Sequence, residues 1–250
     1  MSARVGALCH HFSDIEQQRG AERLGMWMFL ATEVLFFGGV FFAYTVYRLW
    51  YPYDFAAISS ELNVLIAGIN TFVLLTSSLT MTLAIRAAQQ GKRQALLFNL
   101  AATALLGTAF MGFKTYEYME DVHENLVPWS KDHFNPHQWE HEFPEHHKDD
   151  PNFAHFKDSS GHLPPVSPQR VRLFLTFYYV MTGIHGVHLI IGIGVVTYLL
   201  IRAYFRDLTP DKYVAVECTS LYWHLVDAIW LFLMPLLYLA GPHSLKQLHF

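Results

Sequence analysis

Five stretches of this chain are long and apolar enough to cross a bilayer: residues 24–50, 61–87, 94–114, 171–203 and 213–241. A spanning helix needs about 20 apolar residues, each rising 1.5 Å. The expected fold is all-α: a polytopic integral membrane protein built as a bundle of five transmembrane helices. It forms one membrane domain over residues 1–250, led by a 1–23 tail, with a long acidic, His-rich outer loop (115–169) between helices three and four. Charged residues make up only 15% of the chain, against about 25% in soluble domains, and 52% is hydrophobic. The net charge of −4 does not point to nucleic acid. Cys9 and Cys218 cannot make a disulfide framework. No cleavable leader pattern precedes the first span, which is expected to act as its own insertion signal.

Lys and Arg in short connections set topology. Arg4, Arg19 and Arg23 precede span one; Arg86, Lys92 and Arg93 join spans two and three; Arg202, Arg206 and Lys212 join spans four and five. All three groups fall on one side of a five-span chain. The N-terminus is therefore expected in the cytoplasm (or matrix), with the C-terminus and the long loop outside. That loop carries eleven of the 21 acidic residues, eight of the 15 His and only three Lys. Its charge would attract a basic partner, although a solvated spacer is the default for such a run. His133, His137, His141, His146 and His147 are candidates for donor or metal contact there. In the tail, His10, His11, Asp14 and Glu16 could collect protons, since His titrates near neutrality.

The ionisable residues inside the spans are few, and each is costly in lipid. Glu33 lies in span one. His185 and His188 lie in span four, three apart and so on one helix face. Glu217, His224 and Asp227 lie in span five. The simplest reading of the buried His and Asp is an interhelical hydrogen-bonded network, with Asp227 orienting an imidazole. Glu33 is read either as a protonated or hydrogen-bonded carboxyl or as a group that handles protons or contacts lipid. Zinc, non-haem iron or haem ligation is the alternative, but two His at i, i+3 suit opposed axial ligation poorly. Gly183, Gly186, Gly192 and Gly194 accompany these residues and favour close helix approach.

Five segments carry a resemblance. RLGMWMFLATEVLFFGGVFFAY (23–44) resembles the first conserved helix of subunit III of haem–copper oxidases, the cytochrome c oxidase subunit 3 family. INTFVLL (69–75), TYEY (115–118), TGIHGVHLIIG (182–192) and ECTSLYWHLVDAIWLFLMPLLYL (217–239) are similar to the family's following helices, in order. Many members have seven helices. This chain resembles the short five-helix bacterial form, and it carries an enlarged outer loop. The lipid cleft that the seven-helix form builds with its first helix pair would require another subunit here.

The resemblance implies a non-catalytic core subunit of a proton-pumping terminal oxidase in the bacterial cytoplasmic membrane. Such a subunit stabilises catalytic subunit I, sits in a complex with subunit II, binds structural phospholipid and supports proton uptake. It implies no cofactor on this chain, with haem and copper held by the partner subunit. Glu33 matches the family's carbodiimide-reactive carboxyl, and Arg202 a basic residue associated with lipid headgroups. His185, His188, Glu217, His224 and Asp227 fall on motif positions. The partners expected are subunits I and II, membrane lipids and, through the acidic loop, cytochrome c or a larger respiratory assembly. A quinol oxidase or nitric oxide reductase subunit III is the alternative. A free-standing membrane enzyme or transporter using the buried His and Asp is the reading from a different class.

Overall fold

The computed structural model describes residues 15–124, 126–130, 134–205 and 214–239. Seven α-helices follow one another among them: α1 (Ile15–Trp50), α2 (Pro52–Glu61), α3 (Val64–Gln89), α4 (Arg93–His123), α5 (Phe143–His146), α6 (Pro168–Phe205) and α7 (Val214–Tyr238). A π-helical turn, Gln138–Glu142, and a 3-10 turn, Pro151–Phe156, lie between α4 and α6. Five helices, α1, α3, α4, α6 and α7, are long and apolar enough to span a membrane. The shortest, α7, has 25 residues, and at 1.5 Å per residue even it exceeds a hydrocarbon core of about 30 Å. Large apolar side chains such as Leu35, Phe42, Phe72, Phe98 and Leu105 stay exposed along these helices. In a spanning helix such faces meet lipid or a partner helix.

Local sequence explains the punctuation. Pro52 opens α2, where a missing N–H costs nothing. Asn63 caps α3, its Oδ1 accepting from Ile66 N–H at 3.2 Å. Gly91 closes α3 with φ +67°, and Lys92 N–H returns to Ala87 O at 2.9 Å. Pro235 sits inside α7, which nonetheless continues to Tyr238.

Two spans extend far beyond their sequence-derived ends, while α3 and α6 overrun theirs by a few residues at most. α1 begins at Ile15, since the charged residues 16–23 form good helical turns before the apolar run starts. α4 continues to His123, past the predicted end at 114, because KTYEYMED keeps its polar groups on helical spacing.

The described residues form two compact units. The first holds residues 15–39, 74–108, 188–205 and 214–228. Its core is the Trp223 indole, fully buried, with Gly107 on α4 and Gly192 on α6 against the ring. A Cβ at Gly107 would stand 2.8 Å from the ring and one at Gly192 3.2 Å, so glycine is what lets three helices close on one indole. Trp223 Nε1–H donates to Ser77 Oγ at 3.0 Å, and Arg93 donates to Ala203 O and Tyr204 O at the end of α6.

The second unit holds residues 40–73, 109–124, 126–130, 134–187 and 229–239. Tyr44 and Phe55 each pack edge to face against Phe174 at its centre, and Tyr44 OH donates to Leu236 O. Trp139, Phe143, Phe153, Leu163 and Val166 build a small apolar core for the segment between α4 and α6. That segment is fastened at its far end. The buried Asp54 carboxylate accepts from Ser167 N–H at 2.8 Å and from Arg170 Nη1 at 3.0 Å, and Tyr53 OH donates to Pro164 O.

Candidate functional site

In the first unit, α1 carries Glu33 to α6. His188 Nε2 and Glu33 Oε2 share a hydrogen bond of 2.9 Å, both side chains being partly buried. Phe37 packs edge-on against the His188 ring, and Tyr222 OH donates to the His188 carbonyl. Glu217 pairs with Arg23 at 3.1 Å. His224 stands between two hydroxyls on successive turns of α3: Ser78 Oγ lies 2.6 Å from its Nδ1, and Thr82 Oγ1 lies 3.4 Å from its Nε2. Asp227 is buried at 4% exposure, and neither carboxyl oxygen has a hydrogen-bond partner among the described residues. The imidazole beside it is thus oriented by Ser78 and Thr82 and not by Asp227, as the i, i+3 spacing had suggested. Arg202 is half-buried in the last turn of α6.

In the second unit, His185 is buried between Phe110 and Trp230, with ring centroids 5.8 and 5.3 Å away. Although His185 and His188 are three apart, they take different neighbours. Among the described residues, no group of three or more His, Cys, Asp or Glu side chains is arranged to hold a metal ion. His133 lies outside the described residues, as do His10, His11 and Asp14. His137 and His141 are exposed with rings 4.8 Å apart, and His137 Nδ1 lies 3.3 Å from Glu142. His146 and His147 donate to the carbonyls of Glu142 and Phe143.

A cluster that sequence reading missed occupies the C-terminal turns of α4. Lys114, Glu117 and Asp121 are buried, at 6%, 2% and 5% exposure. Lys114 Nζ donates to Glu117 Oε2 at 3.0 Å and Tyr238 OH at 2.9 Å. Tyr178 OH lies within reach of Glu117 (3.0 Å) and Asp121 (3.1 Å), and Tyr238 OH also donates to Glu117. One cation thus faces two carboxyls inside a shell of phenols. The signal was present as the i, i+3, i+7 spacing of 114, 117 and 121, but it was hidden by ending the helix at 114. Beside it, Glu61, Glu117, Glu120, Asp121 and Glu124 line a cavity of about 400 Å³ together with Leu62, Asn63 and Leu65. Burial, then the nearby Glu120 and Glu61, push the Glu124 carboxyl above its usual range.

A match to the family described as cytochrome c oxidase subunit III covers residues 8–124 and 171–242. The chain belongs to the cytochrome c oxidase subunit III family. Both flanks of the matched region hold the spanning helices, and residues 125–170 fall outside it. The chain is 30% identical over 223 residues to a protein of Staphylococcus aureus (strain USA300) named "Probable quinol oxidase subunit 3", covering 88% of this chain and 89% of that one. It is 30% identical over 242 residues to cytochrome c oxidase subunit 3 of Papio hamadryas, covering 93% and 73%. A Staphylococcus saprophyticus protein, also named "Probable quinol oxidase subunit 3", is 28% identical over 239 residues, covering 94% and 98%. As a subunit III, the chain is a multi-pass membrane protein of the haem–copper oxidase class, partnered by core subunits of such a complex.

Proposed function

We propose that this chain is the non-catalytic subunit III of a proton-pumping terminal oxidase of the cytochrome c oxidase type. It lies in a bacterial cytoplasmic membrane, N-terminus inside and C-terminus outside. It packs against catalytic subunit I in a complex with subunit II. The haem and copper belong to that partner, where they supply the redox chemistry. The role of this chain is to hold structural phospholipid, to keep the catalytic subunit competent over many turnovers, and to support proton uptake. Arg202 meets a lipid headgroup at the inner surface. Glu33, held by His188, is the carboxyl associated with protons and lipid.

The observation that carries this reading is the Glu33–His188 contact. It joins the two most recognisable family segments, 23–44 and 182–192, by one hydrogen bond between α1 and α6. A carboxyl partnered by an imidazole can exchange its proton without leaving a bare charge in lipid. The Staphylococcus relatives' names favour a second reading, in which the donor is a quinol.

Purification in mild detergent tests the assignment. A tagged full-length chain is expected to bring down a haem-bearing subunit I and a subunit II, identified by mass spectrometry and a reduced-minus-oxidised spectrum. Stoichiometric haem or metal on the chain free of companions would overturn it. Oxygen uptake with reduced cytochrome c against a quinol then separates the two donors.

A further inference from the structure

The second unit carries a run of tyrosine and tryptophan rings that the reading above leaves unused. It starts at Trp129, exposed beyond the end of α4 and outside the spanning helices. The ring centroids of Trp129 and Tyr179 are 5.0 Å apart, Tyr179 and Tyr178 5.0 Å, Tyr178 and Tyr238 6.2 Å, and Tyr238 and Trp230 6.4 Å. Tyr178, Tyr238 and Trp230 are fully buried. Each hydroxyl on the run has a carboxyl to receive its proton. Tyr178 OH stands 3.0 Å from Glu117 and 3.1 Å from Asp121, Tyr179 OH stands 3.4 Å from Asp121, and Tyr238 OH donates to Glu117. Packing alone would be served by phenylalanine, without the cost of burying phenols and acids together.

We propose that this run conducts oxidising equivalents from the buried Trp230 to water at Trp129. Phenol and indole are the ring side chains that lose one electron most readily. An oxidised phenol is strongly acidic, so its oxidation is easy where a base stands ready. The oxidant is a one-electron oxidant of the class formed by incomplete reduction of oxygen, and the final reductant is a soluble thiolate. The path rests on the oxidase reading only for the origin of that oxidant. Trp230 loses the first electron and keeps its proton, since its Nε1–H donates to the Thr71 hydroxyl, a poor base, at 3.1 Å. Tyr238 refills Trp230 as its proton moves to Glu117. Tyr178 refills Tyr238, which recovers its proton from Glu117, and the Tyr178 proton passes to Asp121. Tyr179 refills Tyr178 in the same way, with Asp121 returning one proton and accepting the next. Trp129 then gives an electron to Tyr179 and its indole proton to water, and Asp121 returns the Tyr179 proton. The thiolate reduces the Trp129 radical, which takes a proton back from water, and leaves as a thiyl radical. One electron has passed from thiolate to oxidant, and every proton is back in place. Lys114 sets the direction. Its ammonium lies 5.1 Å from the Tyr178 ring, 5.5 Å from Trp230 and 5.6 Å from Tyr238, and a positive charge beside a ring opposes an electron hole there. The hole is therefore favoured further along the run, on Tyr179 and Trp129.

Light tests this in the full chain, in the complex with which it purifies, held in lipid nanodiscs. A benzophenone amino acid replaces Phe232, which is exposed and lies two residues from Trp230. Its excited ketone takes one electron and stands in for the oxidant. A water-soluble nitroso spin trap marks where the radical emerges, and mass spectrometry locates the adduct. The expected result is a light-dependent adduct at Trp129. It should fall about tenfold in Tyr179→Phe, which keeps the ring and loses the redox-active hydroxyl. Tyr116→Phe, at an exposed tyrosine off the run, should leave it unchanged. Trp129→Phe should move the adduct to Tyr179. If position 232 does not accept the photo-oxidant, the exposed Leu231 carries it instead. Equal adduct at Trp129 with and without the Tyr179 hydroxyl, or adducts confined to residues around 232, would overturn the path. Because light supplies the oxidant, this readout stands whether or not the chain brings down an oxidase.

Discussion

His188 Nε2 and Glu33 Oε2 meet at 2.9 Å across 155 positions of chain, tying α6 to α1 through two side chains. The bond gives an intramembrane acid a partner that can either donate to it or share its proton. Glu33→Gln preserves shape and hydrogen bonding, so assembly and initial turnover are expected to be normal, with activity declining sooner over repeated cycles. His188→Leu instead strands the carboxyl and should cost about 1–3 kcal/mol in thermal unfolding of the detergent-purified complex. Complete loss of initial oxygen uptake in Glu33→Gln would place that group on an obligatory proton route.

Trp223 leaves no room at its flanks. Gly107→Ala brings a methyl to 2.8 Å from the ring, and overpacking of this kind costs about 1–3 kcal/mol. Trp223→Leu should relieve that penalty, so a double-mutant cycle is expected to show favourable coupling. Additive losses in melting temperature would mean the helices part freely at this point.

Lys114 is buried with a pair of acids, Glu117 and Asp121. Lys114→Met leaves Glu117 and Asp121 without their cation and should cost about 3–5 kcal/mol. Adding Glu117→Gln should recover part of the loss. Expression level and thermal stability in detergent read both steps.

Two carboxyls outside the spans respond to pH in opposite senses. Asp158 accepts from the backbone N–H of His162 and of Ser160, both at 2.9 Å, and these bonds hold its carboxyl below the ordinary 3.8. A depressed value means that the turn is stabilised above that pH and loosens as pH falls through the folded-state value. Hydrogen exchange at residues 158–162 should therefore accelerate only in acid. Glu124 is raised, so its charged form is disfavoured in the fold, and local stability should increase as pH falls through its folded-state value. Glu124→Gln should abolish that second dependence.

Asp54→Ala removes the acceptor for both Ser167 N–H and Arg170. Hydrogen bonds to a charged group are worth about 1.5–3 kcal/mol. Limited proteolysis should cut residues 134–167 faster, while circular dichroism reports unchanged helix content.

The spans were legible because burial in lipid demands long apolar runs, and nothing shorter satisfies the backbone. Their ends were not: residues 16–23 and 115–123 are polar, and helical there by propensity and spacing, which hydropathy does not register. Glu33, His188, His224 and Asp227 stood out as polar groups in apolar surroundings. Their pairings did not, because Glu33 meets His188 across 155 positions and His224 meets Ser78 across 146. Serines and threonines bonded to their own helices look inert in sequence, and only packing turns Ser78 and Thr82 towards an imidazole. Lys114 was passed over because the predicted helix ended there, which took Glu117 and Asp121 off its face.

The Asp54 clamp grips Ser167 and Arg170, at the start of α6, and leaves the intervening stretch to its own small aromatic nucleus. Residues 125–170 are also where the family match breaks off and resumes. An appendage so fastened can be rewritten in length and charge while the spanning helices keep their register. This end of the protein is a graft point, where a lineage can swap what it displays to its surroundings without renegotiating how it is held in the bilayer.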